Sequence, residues 1–209
     1  MFSKSENFIY IEIWKSGSRS IVAALKKYEY KLERHKKIVN KFSNLIINDN
    51  IFTIPKKHAT ANDYLNYFGK EKYSEFFSFT FSRNPFSQQV SYFHYMKEQK
   101  NHFQHEIIKD MTFDEYIRWR CKNDVQLQKQ FVVDGTGKNI VNFIGKLENI
   151  ESDLKDVAKS LNIEYTLEHL NKTNHRDYRE YYSSYSEELI REHYRDDFEF
   201  FKYSKNIAE

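Results

Sequence analysis

Cysteine, proline and glycine are scarce in this chain. Its 209 residues include one cysteine, Cys121, two prolines and five glycines. A single cysteine excludes an intrachain disulfide framework and a zinc site built from several cysteines. The low proline and glycine content argues against a disordered or loop-dominated chain. Because 17% of the residues are aromatic, material for one substantial core is ample, and we expect a single domain over residues 1–209.

Long apolar runs and a strong net charge are also missing. No apolar run approaches the length of a membrane span, and the first residues lack the apolar stretch of a signal peptide. The sequence therefore predicts a soluble protein of the cytoplasm without a membrane span. The formal net charge of +3 permits a local anion site but does not indicate a nucleic-acid-binding protein.

The most informative stretch of the sequence runs from Phe8 to Tyr28. Residues 8–14 are apolar, β-branched and aromatic, which predicts a largely buried strand. After a short loop, apolar side chains recur at the spacing of one helix face, at Ile21, Ala24, Leu25 and Tyr28. The pattern predicts a strand, a tight loop and a helix in immediate succession.

The loop of this unit has the composition of an anion-binding site. Its residues are Lys15, Ser16, Gly17, Ser18, Arg19 and Ser20. The first N–H groups of a helix lack intrahelical partners and carry partial positive charge, glycine admits a close ligand, and hydroxyls and cations bind phosphate oxygens. An ordinary strand-to-helix turn with a serine N-cap explains this loop alone equally well. The loop is not a Walker A motif, because its lysine precedes its only glycine.

A second unit of the same kind lies between residues 76 and 95. Phenylalanine alternates with serine and threonine over 76–82, which predicts a strand, and Asn84-Pro85 is a strong helix opening. Arg83 therefore lies at the carboxyl end of a strand, the edge at which open α/β sheets bind ligands. Two units that each place a cation and hydroxyls beside a helix start predict a ligand with two separate anionic groups.

His58 lies in a loop between a predicted strand at 51–54 and a predicted helix that opens at Thr60. Such loops carry functional side chains more often than element interiors do. A lone histidine beside lysines is nevertheless usually a surface residue, so this pattern leaves a catalytic role open.

The sequence predicts four further elements. They are a helix at 112–120, a strand at 140–144 that Gly145 ends, a helix at 154–161 and a C-terminal helix at 190–201.

With these pieces in place, the sequence resembles the sulfotransferases that use PAPS (3′-phosphoadenosine 5′-phosphosulfate), specifically the carbohydrate sulfotransferase-like branch common in bacteria. Residues 14–20, WKSGSRS, resemble that family's loop for the 5′-phosphosulfate. Residues 79–91, FTFSRNPFSQQVS, resemble its 3′-phosphate motif. Residues 141–154 and the tail over 170–203 resemble two further family segments, so the resemblance spans nearly the whole chain in the right order.

The resemblance implies an α/β, P-loop-like three-layer fold with a mainly parallel central sheet flanked by helices. It implies that the first loop, from Lys15 to Ser20, holds the 5′ side of PAPS, while Arg83 and Ser91 hold its 3′-phosphate. Lys15 and His58 would be catalytic, since His58 matches a histidine that family members carry upstream of Arg-Asn-Pro, where it can act as base. A sulfuryl group carries less charge than a phosphoryl group, so no metal is expected.

The implied activity is transfer of a sulfuryl group from PAPS to a hydroxyl, with a glycan or glycoconjugate as the expected acceptor in polysaccharide biosynthesis. The basic segment 26–41 and the many tyrosines suit an anionic glycan; a peptide tyrosine or a small alcohol is the alternative. Two residues depart from the family pattern, because Gln88 replaces a second arginine and Arg19 replaces a small residue. The rivals are a non-catalytic nucleotide- or RNA-binding module and an ATP-dependent P-loop phosphotransferase. Gln88 gives weight to the first as a degenerate sulfotransferase, whereas the near-neutral charge counts against RNA binding.

Overall fold

The computed structural model describes residues 1–47, 53–168 and 176–209 and has an α/β architecture. An open four-stranded sheet has the strand order β1–β2–β3–β4, with β1 antiparallel to β2 and the other neighbours parallel. The strands are β1 Phe2–Ser3, β2 Phe8–Ile11, β3 Phe77–Ser82 and β4 Phe143–Lys146. A mostly parallel sheet flanked by helices confirms the fold class that the resemblance implies.

Helices make up most of the remaining regular structure. The α-helices of the described residues are α1 Ser18–Ala24, α2 Arg34–Ile47, α3 Ala61–Phe68, α4 Lys70–Ser74, α5 Pro85–Glu98, α6 His105–Ile108, α7 Phe113–Asn123, α8 Ile150–Leu161, α9 Ser184–His193 and α10 Arg195–Phe201. Short 3₁₀ turns occur at Lys26–Tyr28, Gln128–Phe131, Leu147–Asn149 and Tyr178–Tyr181.

The helix openings follow local hydrogen-bond signals that the sequence displays. Thr60 accepts from the backbone of Asp63 and the Asp63 carboxylate accepts in return, which starts α3. Asn84 accepts from the N–H of Phe86, and Pro85 occupies the first turn of α5. A capping box at Thr112 starts α7 in the same way. These three openings lie where the sequence predicts them.

β3 occupies a central position in the sheet and is covered on both sides. Its phenylalanines at 79 and 81 are buried, but so are Ser78, Thr80 and Ser82. The Thr80 hydroxyl donates to the Ile11 carbonyl at 2.7 Å, and the Ser82 hydroxyl donates to the Gly145 carbonyl at 3.2 Å. The alternation of the sequence therefore separates two buried faces, and adjacent strands satisfy the hydroxyls on one of them.

Several predicted boundaries differ from the structure. The strand predicted at 140–144 is β4, which begins at Phe143 and continues through Gly145 to Lys146. A Cβ at Gly145 would lie 2.6 Å from Cε1 of Phe81, so this position requires glycine. This glycine admits the neighbouring ring and does not end the strand. The first helix stops at Ala24, and the C-terminal helix divides at Tyr194 into α9 and α10. Of the strand predicted at 51–54, the first two residues lie outside the described ranges, and the other two are not in a strand.

Candidate functional site

A cavity of about 1390 Å³ opens where three parallel strands end. Residues 14, 15 and 17–20 follow β2, Arg83 follows β3, and residues 147–152 follow β4 on the cavity wall. The sequence-predicted site residues on that wall are Lys15, Gly17, Ser18, Arg19, Ser20, His58, Arg83 and Ser91. Ser16, the remaining predicted site residue, is buried and does not line the cavity.

The loop after β2 is fixed by its own backbone and hydroxyl groups. Gly17 has φ +79°, and a Cβ there would lie 2.5 Å from Cδ1 of Leu147, so both conformation and space favour glycine. The hydroxyls of Ser16 and Ser18 donate to the Ile13 carbonyl at 2.9 and 2.7 Å. Two of the three serine hydroxyls expected to face an anion therefore hold the loop against the strand end.

Lys15 is a partly buried cation at the centre of this wall. Its Nζ lies 4.3 Å from the ring centroid of Tyr95, which is a cation–π contact. Burial, helped by the positive charges of Arg83 and Arg19, lowers the pKa of Lys15 to about 8. Its φ of +59° is an uncommon backbone conformation for lysine, of the kind that clusters at functional sites.

Arg83 is held rigidly next to Lys15. Its Nη1 donates to the Lys15 carbonyl at 3.2 Å, and its Nε donates to the Ser87 hydroxyl at 2.9 Å. The side-chain amide of Gln128 brackets the Arg83 backbone, accepting from its N–H and donating to its carbonyl. The buried carboxylate of Asp197 in turn accepts from the Gln128 N–H at 2.8 Å. The two units predicted from the sequence thus meet in one cavity.

His58 presents one ring nitrogen as a base. Its Nδ1 lies 2.8 Å from the Glu12 carbonyl oxygen, and because a carbonyl can only accept, Nδ1 carries the hydrogen. In the neutral ring Nε2 is then unprotonated. Burial lowers the pKa of His58 below 6.5, so the neutral form dominates at neutral pH. The ring packs 5.4 Å from that of Trp14, beside the Lys15 loop.

Gln88, which stands where the resembling family has a second arginine, does not face the cavity. It is 2% exposed and its Nε2 donates to the Trp14 carbonyl at 2.9 Å. The amide therefore supports the backbone of the loop that carries Lys15.

Several wall residues were not singled out from the sequence. They include Tyr95, Glu98, Arg120, Gln126, Glu148 and Arg176. Glu148 accepts from the Asn84 N–H at 2.9 Å and from the Tyr203 hydroxyl at 2.9 Å, and it lies in the segment 141–154 that carries part of the family resemblance. Arg120 had no distinguishing signal, because one cation in an amphipathic helix is ordinary.

The basic segment 26–41 contributes no described residue to the cavity wall. Within the described ranges, no three histidine, cysteine or acidic side chains are grouped as metal ligands would be. In the same ranges, no helix combines the length and the apolar character needed to cross a membrane.

Comparison with known proteins gives one finding. A model of the sulfotransferase family matches residues 1–204, a range that contains every residue of the cavity wall. The sequence has no significant match among the curated proteins or the solved structures.

Proposed function

The chain belongs to the sulfotransferase family, and from this membership we propose that it transfers a sulfuryl group from PAPS to a hydroxyl on a glycan or glycoconjugate. Family membership supports sulfuryl transfer in general. The donor, the acceptor and the residue roles are our proposal, as is the treatment of residues 1–209 as a single sulfotransferase domain. The cytoplasmic location expected from the sequence stays a prediction.

The meeting of Lys15 and Arg83 in one cavity is the observation that carries the proposal. The Arg83 guanidinium donates to the Lys15 backbone carbonyl at 3.2 Å, and both side chains line the same cavity, each with a pKa lowered chiefly by burial. Partly buried cations are stabilised by anions, and charge-assisted hydrogen bonds to phosphate are strong. A nucleotide with phosphates on both its 3′ and 5′ positions fits that arrangement.

Each catalytic group has a defined role in the proposed reaction. When bound, PAPS would supply the sulfuryl group. The bond between its sulfur and an oxygen of the 5′-phosphate would break while a new oxygen–sulfur bond to the acceptor forms. His58 accepts the proton of the acceptor hydroxyl at Nε2, while the Glu12 carbonyl holds the Nδ1–H. Lys15 neutralises the negative charge that develops on the departing phosphate oxygen, and the first N–H groups of the loop add to this stabilisation.

Thermal shift with three ligands distinguishes this proposal from its rivals. Adenosine 3′,5′-bisphosphate should raise the melting temperature more than ATP with Mg²⁺ or a short oligonucleotide does. At one hundred times its Kd, a ligand stabilises the native state by about 2.7 kcal/mol, roughly 5–10 °C for a domain of this size. A larger shift with ATP and Mg²⁺ would indicate a phosphotransferase. A larger shift with the oligonucleotide would indicate a nucleic-acid-binding module.

Nucleotide binding should weaken above the pKa of Lys15. Because that pKa is about 8, the lysine loses its charge as pH rises through this value, whereas the nucleotide phosphates are fully ionised throughout. The Kd of adenosine 3′,5′-bisphosphate should therefore rise by up to about tenfold per pH unit between pH 8 and 9.5. Lys15→Arg keeps its charge in this range and should give a flat profile. An equal rise of the Kd with pH in the wild type and in Lys15→Arg would refute the role of Lys15 in nucleotide binding.

A further inference from the structure

Gln128 continues the hydrogen bonding of β3 past the end of that strand. The pairing of β3 with β4 ends at Ser82 and Lys146, and Arg83 is the next residue after β3. The Arg83 N–H donates to Oε1 of Gln128 at 2.9 Å, and the Arg83 carbonyl accepts from Nε2 of Gln128 at 2.7 Å. One carboxamide thus replaces the peptide group that a neighbouring strand would supply, with each donor facing an acceptor. The backbone of Arg83 is therefore held on both sides of its Cα.

Gln128 is held in turn by the buried carboxylate of Asp197 in α10. Gln128 opens the 3₁₀ turn Gln128–Phe131 and is 1% exposed, and Asp197 is fully buried. Oδ2 of Asp197 accepts from the Gln128 N–H, and Oδ1 accepts from the Lys129 N–H, both at 2.8 Å. Burial raises the pKa of Asp197 to about 6, so the carboxylate is largely ionised at neutral pH and makes strong hydrogen bonds. Asp197 therefore fixes the backbone of the residue whose amide fixes Arg83.

The Arg83 side chain has two anchoring hydrogen bonds of its own. Its Nη1 donates to the Lys15 carbonyl at 3.2 Å, and its Nε donates to the Ser87 hydroxyl at 2.9 Å. Together with the Gln128 amide, these contacts fix both the backbone and the guanidinium of Arg83 relative to the loop that carries Lys15. A cation that is fixed before its ligand arrives loses little conformational freedom on binding.

Gln128 and Asp197 have no direct access to a ligand in the cavity. Neither residue belongs to the described cavity wall, whereas Arg83 does. An effect of these two residues on ligand binding must therefore pass through Arg83. A purely structural role, in which they attach α10 to the sheet, would give the same contacts but no effect on the choice between ligands.

We propose that Gln128 and Asp197 are positioning residues for recognition of the 3′-phosphate. The Gln128 amide sets the place of Arg83 relative to the Lys15 loop, and Asp197 sets the place of Gln128. The inference rests on the proposed function and adds to it the residues that determine the preference for a nucleotide with phosphates at both its 3′ and 5′ positions.

Gln128→Met tests this role, since methionine has a similar size and offers neither the donor nor the acceptor. The Kd values of adenosine 3′,5′-bisphosphate and adenosine 5′-monophosphate are measured by calorimetry at a temperature where the variant is folded. The wild-type preference for the bisphosphate, expected to be at least about tenfold, should fall to less than about threefold. The Kd of the monophosphate should change by less than about twofold, because the Lys15 loop is retained. A loss of stability alone would leave the ratio of the two Kd values unchanged.

Tyr73→Phe is the matched control. The Tyr73 hydroxyl also donates to a backbone carbonyl, that of Ile140 at 3.0 Å, but Tyr73 lies off the cavity wall. Its replacement should leave the preference for the bisphosphate unchanged. Asp197→Asn is a second variant, which keeps the shape of the side chain but turns an amide donor toward a backbone N–H. It should lower the preference by at least about twofold.

Nuclear magnetic resonance of the wild-type chain decides the question if neither variant folds. The side-chain amide signal of Gln128 should shift when the bisphosphate binds and should stay in place when the monophosphate binds. Three results would overturn the positioning role. They are an undiminished preference in Gln128→Met, an equal loss of affinity for both nucleotides, and a wild-type Gln128 amide signal that does not respond to the bisphosphate.

Failure of the proposed function gives a different result. The wild-type chain would then show no preference for the bisphosphate itself. Hydrogen exchange of the Arg83 backbone N–H, measured without nucleotide, would still be faster in Gln128→Met than in the wild type, because that group loses its acceptor.

Discussion

Lys15→Ala should lower turnover by about two to three orders of magnitude, the loss expected when one donor to a developing oxyanion is removed. Lys15 and Arg19 are the two cations of this loop that line the cavity, and the Nζ of Lys15 lies 4.3 Å from the ring centroid of Tyr95. In the proposed reaction, removing Lys15 withdraws the positive charge assigned to the departing phosphate oxygen. Turnover is measured as release of adenosine 3′,5′-bisphosphate from PAPS, with the acceptor taken from a panel of glycans.

Lys97→Ala is the matched control for that experiment. Lys97 also forms a cation–π contact on α5, with its Nζ 4.9 Å from the ring centroid of Phe93, but it lies off the cavity wall. Its Nζ also donates to the Met111 carbonyl at 3.0 Å, so the replacement removes a half-buried cation and its hydrogen bond, but away from the site, and should leave turnover within about twofold of the wild-type rate. Turnover of Lys15→Ala at the level of this control would remove Lys15 from the chemistry.

His58→Ala should lower turnover by about two to four orders of magnitude, which is the usual contribution of a general base. Binding of adenosine 3′,5′-bisphosphate should persist, because the proposed contacts of His58 are to the acceptor. Below the lowered pKa of His58, the wild-type rate should fall as Nε2 becomes protonated. This acid limb should be absent from the residual rate of the variant.

His105→Ala is the control for His58. The Nδ1 of His105 also lies 2.9 Å from a backbone carbonyl, that of Met96, but His105 does not line the cavity. His105→Ala therefore removes an imidazole that is anchored in the same way but is not a base at the site. Full activity in His58→Ala would exclude His58 from the mechanism, and loss of nucleotide binding there would assign it a structural role.

The sequence predicts those parts of the fold that depend on interactions between residues close together in the chain. The openings at Thr60, Asn84 and Thr112 depend on side chains within three residues, so the sequence displays them directly. The glycine at position 145 leaves room for the ring of Phe81 on a neighbouring strand, and no local pattern reveals that this residue continues β4. The local sequence therefore predicts a strand end where the packing requires a residue without a side chain.

The same distinction applies to the site. Lys15 and Arg83 are predictable because each lies in a loop between a predicted strand and a predicted helix, and loops at one sheet edge converge. His58 is predictable through the family resemblance alone, since residues 53 and 54 before it do not form the predicted strand. Ser16 was assigned to the ligand although its hydroxyl holds the Ile13 carbonyl, a partner that only the folded loop supplies. Arg120 escaped notice because its burial depends on Tyr92, a residue of another helix.

The most direct test is whether one nucleotide engages both cations. Binding of adenosine 3′,5′-bisphosphate and of adenosine 5′-monophosphate is measured for the wild-type chain and for Arg83→Gln. We expect the wild type to prefer the bisphosphate by at least about tenfold, since a hydrogen bond to a charged group contributes about 1.5–3 kcal/mol. Arg83→Gln should lose this preference and bind the monophosphate as the wild type does. Equal wild-type affinity for both nucleotides, or an undiminished preference in Arg83→Gln, would contradict a shared site.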